Sequence, residues 1–326
     1  MLKITRRTML AGALAGAAWA GLSIQPAMAE FPEKPIEFII PFGAGGGADI
    51  EGRLLATEMS KILGVPLVPV NKPGGGGAVT YTYVKNAAPD GYTIGWNSTS
   101  ILTTTNIGNV DFKHDAMDHI GRVEWQPMPF AVKADAPWQT FDEFAKDCQA
   151  NPDKFKVSNS GSGSATHLAA IALMDAANCK VTHLPVGIKR RNASVLSGEA
   201  DAMIAPLTGA VNLTKAGKLR LLAMPSDVRN PVTPDVPTAK ELGYDAVLDL
   251  FRGLSVPKGT PDDVKAKLAD AMAKAAKSAD FVALAEKSGF TVDPMVVADF
   301  EALLKDEDMK VQAIMEGAGL YQSEKK

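Results

Sequence analysis

The sequence predicts an α/β protein of two lobes, each a mainly parallel sheet flanked by helices, with the chain crossing between the lobes twice. Three observations carry that expectation. Short apolar, β-rich runs alternate with segments of helical period along most of the chain. Two extended stretches, 120–132 and 250–257, stand apart from the alternation, and the first is broken by Pro127 and Pro129. The chain has 326 residues, enough for two cores.

The elements follow in order. Residues 36–41 form a short strand. Residues 48–63 carry Ile50, Leu54, Leu55, Met59, Ile62 and Leu63 at roughly helical spacing, with Gly64 as a stop and Pro66 just beyond. A strand at 67–70, the loop NKPGGGG, a helix at 78–88 and a strand at 92–97 after the Asp90-Gly91 turn complete the first series. Past the first crossing come a helix at 141–149, a strand at 156–159, a helix at 164–177 and a strand at 181–185. A short helix at 192–196 and strands at 202–205 and 219–224 follow. The irregular loop SDVRNPVTPDVPT precedes the second crossing. A helix at 261–276 then starts with Thr260 as cap and Pro261 in its first position, and further helices run to about residue 317.

The first 29 residues set the compartment. Lys3, Arg6 and Arg7 precede an apolar stretch that closes on Ala27-Met28-Ala29, a signal-peptide pattern with cleavage after Ala29. Adjacent Arg6-Arg7 point to the twin-arginine route, and a Sec signal that carries two arginines is the alternative. Taking the leader's three basic residues from 34 leaves 31 against 37 acidic, a net −6, so no nucleic-acid partner is expected. With 1–29 as leader, the first lobe is 30–125 plus 250–326, and the second, 126–249, is inserted in it. That is the layout of a periplasmic binding protein, type II-like, whose lobes close on a ligand by hinge motion. A monomer is expected. In an oxidising compartment Cys148 and Cys179 either form a disulfide or remain two buried thiols.

The stretch IIPFGAGGGADIEGRLL, 39–55, fits the glycine pattern of dinucleotide sites. Such a site also needs an acidic residue closing the second strand, and here that strand ends Val70-Asn71-Lys72. No Gly-Lys-Ser/Thr follows the glycines, which excludes a P-loop. Glycines that let the backbone approach a ligand, followed by a helix start with unpaired N–H groups, suit a carboxylate equally well. Two further donor-rich loops, VSNSGSGSATHLAA from 157 and WNSTSILTTTN from 96, end strands in the same way. Ligands of open α/β sheets bind at such strand ends.

The chain resembles the substrate-binding proteins of tripartite tricarboxylate transporters, the Bug proteins. The resemblance runs from Phe31 to the end, through FPEKPIEFIIPFGAGGGADIEGRLLA, NKPGGGG, AAPDGYTIG, NSGSGSATHLAA, LSGEADAM, KAGKLRLLA, PDVPTAKELGY and GLSVPKGTP. It implies a receptor that delivers a small carboxylate to the membrane components of such a transporter. Di- or tricarboxylates are the first expectation and aromatic carboxylates the second. It implies ligand contacts at Phe42, Gly45, Gly46, Asn97, Ser98, Thr99, Ser158, Asn159 and Thr166. The chain departs from the family after HLP, where Val186-Gly187-Ile188-Lys189-Arg190-Arg191-Asn192 replaces a Tyr-Lys-Gly-Gly-like loop. It departs again at Ala205-Pro206, where many members carry aspartate. That second departure favours a ligand without an amine.

Three consecutive cations, 189–191, are unexpected in a chain of this charge. They are expected in the loop after the strand at 181–185, where an arginine fork at Arg190 or Arg191 suits a ligand's second carboxylate. A solvated turn or a docking patch is the alternative. No catalytic residues, cofactor or metal are expected. Ser160 and Ser162 lie in no Gly-x-Ser-x-Gly elbow, and HDAMDH at 114–119 matches no common metal spacing. A periplasmic sensor that signals without uptake is the second functional reading, and a hydrolase the third.

Overall fold

The computed structural model describes residues 31–325. The leader, its twin arginines and the cleavage point after Ala29 lie outside the described residues. Strands β1 (Ile36–Ile40), β2 (Leu67–Asn71), β3 (Thr93–Ser98), β4 (Met117–Gln126), β10 (Leu250–Pro257) and β11 (Thr291–Met295) form one sheet in the order β2-β1-β3-β10-β4-β11. Strands β5 (Phe130–Lys133), β6 (Lys156–Asn159), β7 (Thr182–Pro185), β8 (Ala202–Ile204) and β9 (Leu219–Ala223) form another, in the order β7-β6-β8-β5-β9. The chain passes from the first sheet to the second between β4 and β5, and returns at β10.

Helices α1 (Gly47–Leu63), α2 (Ala78–Lys85), α3 (Ser100–Ile107), α8 (Asp262–Ala276), α9 (Ala279–Ser288) and α10 (Val297–Gly317) accompany the first sheet. Helices α4 (Phe141–Ala150), α5 (Ala165–Ala176), α6 (Ile188–Ser197) and α7 (Leu207–Lys215) accompany the second.

Both sheets are mixed rather than mainly parallel. β1 runs parallel to β2 and β3, and β6 to β7 and β8. β10 runs antiparallel to β3 and β4, and β5 to β8 and β9. The strand that enters each sheet after a crossing, β5 in the second and β10 in the first, runs against the direction of the βαβ units, so each sheet acquires antiparallel pairs.

Local chemistry explains the well-formed elements. All eight positions of β10 are buried, as a strand in the middle of a covered sheet requires. α4 opens with a Thr140–Glu143 capping box and buries Phe141, Phe144, Ala145 and Cys148, a spacing of three, four and seven from the first. Its aromatic face meets Phe130, Trp138 and Phe155 edge-on or tilted, with ring centroids 4.7 to 5.5 Å apart. α4 is also joined covalently to the segment after α5: Cys148 and Cys179 form a disulfide with Cα atoms 5.6 Å apart.

Three elements differ from the sequence expectation. α3 occupies 100–107, which reads as loop because three consecutive threonines disfavour helix. α7 forms across Gly209. β11, with Pro294 inside it, is an edge strand, where a missing N–H costs no ladder bond. A fourth difference bears on the site: α6 starts at Ile188, so the three cations sit in its first turn rather than in a loop.

Candidate functional site

The turn between β1 and α1 is held open by a charged brace. Asp49 accepts from the Gly45 N–H at 2.9 Å, from Arg53 Nε at 2.8 Å and from Asn71 Nδ2 at 2.8 Å. Asn71 Nδ2 also donates to the Phe42 carbonyl at 2.9 Å, and Arg53 Nη2 donates to Asn71 Oδ1 at 2.7 Å. Burial alone would raise the Asp49 carboxyl, but the hydrogen bonds from Gly45, Asn71 and Arg53 outweigh it and hold it below its ordinary value. Gly45 takes φ +80°, which the tight turn demands of a glycine. Its N–H is spent on Asp49. Gly46 caps α1 without a side-chain bond, so no side chain takes up the amides at the helix start, a position that favours an anion.

The end of β3 is braced in a different way. Asn97 Nδ2 bonds Ser255 Oγ, and Thr99 Oγ1 accepts from the Phe251 N–H at 3.0 Å. Ser98 Oγ and Ser100 Oγ lie 2.8 Å apart, and Ser100 Oγ also bonds the Tyr81 hydroxyl. Asn97 and Thr99 therefore tie β3 to β10, and Asn97, Ser98 and Thr99 are all buried. Trp96 is core as well: its Nε1 donates to the Ala48 carbonyl at 3.0 Å and its ring packs on Phe38.

The loop after β6 spends most of its own donors on its shape. Ser160 N–H donates to Thr166 Oγ1 at 2.9 Å, Gly161 N–H to Asn159 Oδ1 at 3.0 Å, and Gly163 N–H to His167 Nδ1 at 3.0 Å. Burial, with His183 beside it, lowers His167 to about 4, so its Nδ1 stays an acceptor at neutral pH. Ser158 Oγ reaches the Arg191 and Ala202 carbonyls at 3.2 and 3.4 Å. Asn159 Nδ2, fully buried, has no partner among the described residues.

Arg191 completes this second group. It is 5% exposed, donates from Nη1 to Ser160 Oγ at 2.6 Å, and has no carboxylate partner among the described residues. Burial alone lowers it to about 10, so it remains a cation at neutral pH. Gly209 leaves room for it; a Cβ there would lie 3.1 Å from Nη2. Arg190 turns the other way. It is exposed, and its Nη2 donates to both Glu199 carboxylate oxygens, at 2.7 and 2.9 Å. Adjacent helix positions are about 100° apart, so with Arg191, Ser194 and Val195 facing inward, Arg190 faces solvent. The structure thus separates the two arginines that the sequence left as alternatives.

The two groups approach each other. A Cβ on Gly47 would lie 2.8 Å from Thr208 Oγ1, at the start of α7. Gln126, at the end of β4, accepts from Thr208 through its N–H at 3.3 Å and its hydroxyl at 3.0 Å. Gly163, at φ +67°, presses on Ile107 too closely for any side chain. Asp49, Arg53, Asn71, His167, Ser160, Gln126 and Thr208 were not among the residues expected from sequence. Asp49, Arg53, Ser160 and His167 lie in the stretches the sequence singles out, and Asp49 and Arg53 also share a spacing of four; Asn71, Gln126 and Thr208 carry no local signal.

Two mixed sheets, each flanked by helices and joined by two crossings, with donor-rich turns at facing strand ends, define a solute-binding protein of the type II periplasmic class. The chain belongs to the tripartite tricarboxylate transporter family receptors, whose sequence pattern it matches over residues 52–320. A Cupriavidus necator protein encoded in the gbd 5′ region is 32% identical over 323 residues, covering 96% of this chain and 97% of that one. A TctC solute-binding protein from Polaromonas superposes with a TM-score of 0.74 at 33% identity, covering 88% of this chain and 99% of that one. MatC from Rhodopseudomonas palustris, solved with bound malate, superposes at 0.79 with 26% identity, covering 87% and 99%. As a member of this family the chain is a periplasmic receptor for a transporter and not an enzyme.

Proposed function

We propose that this receptor captures a small dicarboxylate between two lobes, 30–125 plus 250–326 and 126–249, and hands it to the membrane components of a tripartite tricarboxylate transporter. One ligand carboxylate docks on the amides that start α1, beside Phe42, Gly45 and Gly46. The other meets Arg191, with Asn159 Nδ2 and Ser160 Oγ beside it. Ser98 lines the wall between them. Asn97, Thr99, Ser158 and Thr166 shape the site as braces, and Arg190 stays outside it.

One observation carries the choice of a dicarboxylate: a buried guanidinium with no acidic partner among the described residues. Leaving such a charge unpaired is costly, and a ligand carboxylate is the group that would pair it. Malate bound to MatC is a dicarboxylate, in keeping with this reading. The absence of an acidic residue at Ala205-Pro206 supports a ligand without an ammonium.

A thermal-shift screen over mono-, di- and tricarboxylates tests the proposal, because a ligand that binds only the folded state raises its midpoint. Dicarboxylates should give the largest shifts. Equal shifts for dicarboxylates and their monocarboxylate counterparts would refute it. The leader is proposed to leave by the twin-arginine route with cleavage after Ala29. Changing Arg6 and Arg7 to lysine should then leave precursor in the cytoplasm, and unimpaired export would point to Sec.

A further inference from the structure

Beneath the start of α1 lies a cluster of charge that the ligand site does not use. Glu51 on α1, Glu124 on β4 and Arg252 on β10 are 1%, 0% and 4% exposed. Arg252 stands opposite Glu124 in the β4–β10 ladder. Its Nε contacts Glu51 Oε2 and, at 3.2 Å, Glu124 Oε1. Among the described residues no second cation pairs with either acid. Two buried carboxylates against one guanidinium leave a negative charge uncompensated, which a dry site tolerates poorly. Among the described residues neither Glu51 oxygen nor Glu124 Oε2 finds a well-aligned hydrogen-bond donor. One proton resolves both defects: a carboxyl donates to the neighbouring carboxylate, and Arg252 balances the charge that remains.

We propose that Glu51 and Glu124 share one proton at neutral pH, and that this proton is linked to ligand capture. The linkage rests on the proposed ligand position; the shared proton does not. Burial, and then the charge of Glu51, push the Glu124 carboxyl well above its ordinary value, which agrees.

Among the described residues, the groups that face the pair from β3, β4, β11, α2, α8 and α10 add no unpaired charge. α8 meets β4 through Met272 at Gly121, and α10 through Phe300 beside His119. His119 itself is buried and lowered to about 3, hence neutral. β11 brings Asp293, already paired with Arg122. α2 brings Tyr81, raised by burial and also neutral. β3, on the other side of β10, presents Asn97 and Ser98.

The pair sits where an anion would sense it. Glu51 Oε1 lies 3.2 Å from the point a Gly47 Cβ would occupy, at the first residue of α1. Gln126 Nε2 reaches Glu124 Oε1 at 3.4 Å, and Gln126 Oε1 accepts from Thr208. Protonated, the cluster is neutral; deprotonated, it turns a net negative charge toward the ligand. An anion therefore raises the pair's affinity for its proton further. Between the titration points of the free and the occupied protein, binding takes up a proton and affinity falls about tenfold per pH unit as pH rises. Below that window affinity is full, and above it affinity is lower and constant.

The test has two arms on the mature chain. Infrared spectroscopy of the ligand-free protein at pH 7 should show a protonated-carboxyl band that Glu124→Gln removes. It is recorded in an Asp249→Asn background, since burial raises Asp249 to about 7 and gives a band of its own. Glu51→Gln serves if Glu124→Gln fails to fold. Calorimetry with malate from pH 7 to 9, in buffers of different ionisation heat, should show up to one proton taken up by the native protein and none by the variant. A band unchanged in both variants overturns the shared proton. Malate binding without proton uptake, or uptake retained in the variant, overturns the linkage. Failure of the native protein to bind any dicarboxylate would count against the proposed ligand, while the infrared arm still decides the pair.

Discussion

The two turns that face each other have similar composition but opposite construction. The turn before α1 is braced by charge: Asp49 holds Gly45, and Arg53 and Asn71 hold Asp49. The turn before α5 is braced by neutral groups, Asn159, Thr166 and His167, and its charge comes from outside, on Arg191 of the neighbouring helix. Their far ends differ too. α1 stops on Gly64 in the left-handed conformation, whereas the segment after α5 is clamped to α4 by the Cys148–Cys179 bond. A donor-rich loop is therefore not equivalent to a ligand site. Each turn consumes much of its hydrogen bonding in keeping its shape. What is left over, backbone amides in one and a guanidinium in the other, decides what it can bind.

The comparison can be broken most sharply at Arg191. Arg191→Ala should weaken binding of the best dicarboxylate by about 2–5 kcal/mol, the range for a buried paired charge. In calorimetry, lactate, which lacks malate's second carboxylate, should lose much less. Equal losses for both would remove Arg191 from the site. Next in size is the clamp. Replacing Cys148 and Cys179 with alanine should lower unfolding free energy in urea by roughly 3–4 kcal/mol for a 31-residue separation, on the chain-entropy account. Binding at low denaturant should persist.

Asp49→Ala should cost about 1.5–3 kcal/mol of stability, because it removes the carboxylate that accepts from Gly45, Arg53 and Asn71. It should also weaken ligands of both charge types alike, since it loosens the turn that both use. A loss confined to dicarboxylates would contradict the assignment of one carboxylate to each turn.

His167 gives a smaller, pH-dependent effect. Its folded value of about 4 lies below the usual 6.5, so the unfolded chain takes up the proton first. Its stabilising contribution is full above pH 6.5, declines as pH falls toward 4, and changes no further below that. Denaturant titrations of His167→Gln should show a shallower acid slope in that window. The smallest effect belongs to Arg190, whose surface pair with Glu199 should contribute at most about 1 kcal/mol and leave dicarboxylate affinity unchanged on mutation to alanine.

Much of the fold was legible because buried strands and amphipathic helices carry periodic signals, as in β1, α1, α4 and α8. α3 and β11 were hidden by threonine and proline, whose local preferences oppose the structure that tertiary contacts impose. Within the site, the two turns were visible but their braces were not. Asn71 reaches Asp49 across 22 residues, and no local pattern records that. Arg190 and Arg191 are indistinguishable in sequence because the local pattern starts the helix at 192, four residues after its actual start at Ile188. Without the helix phase, adjacent arginines cannot be assigned to opposite faces. The Glu51–Glu124–Arg252 cluster joins three residues spread over two hundred positions, each an ordinary charge when taken alone.

A crystal structure of the protein with the dicarboxylate that gives the largest thermal shift tests the central claim most directly. The account predicts one carboxylate on the amides at the start of α1 and the other in hydrogen-bond contact with the Arg191 fork, with Arg190 still on Glu199. A ligand that leaves Arg191 bonded only to Ser160 and its neighbours, or that engages Arg190 instead, would contradict it.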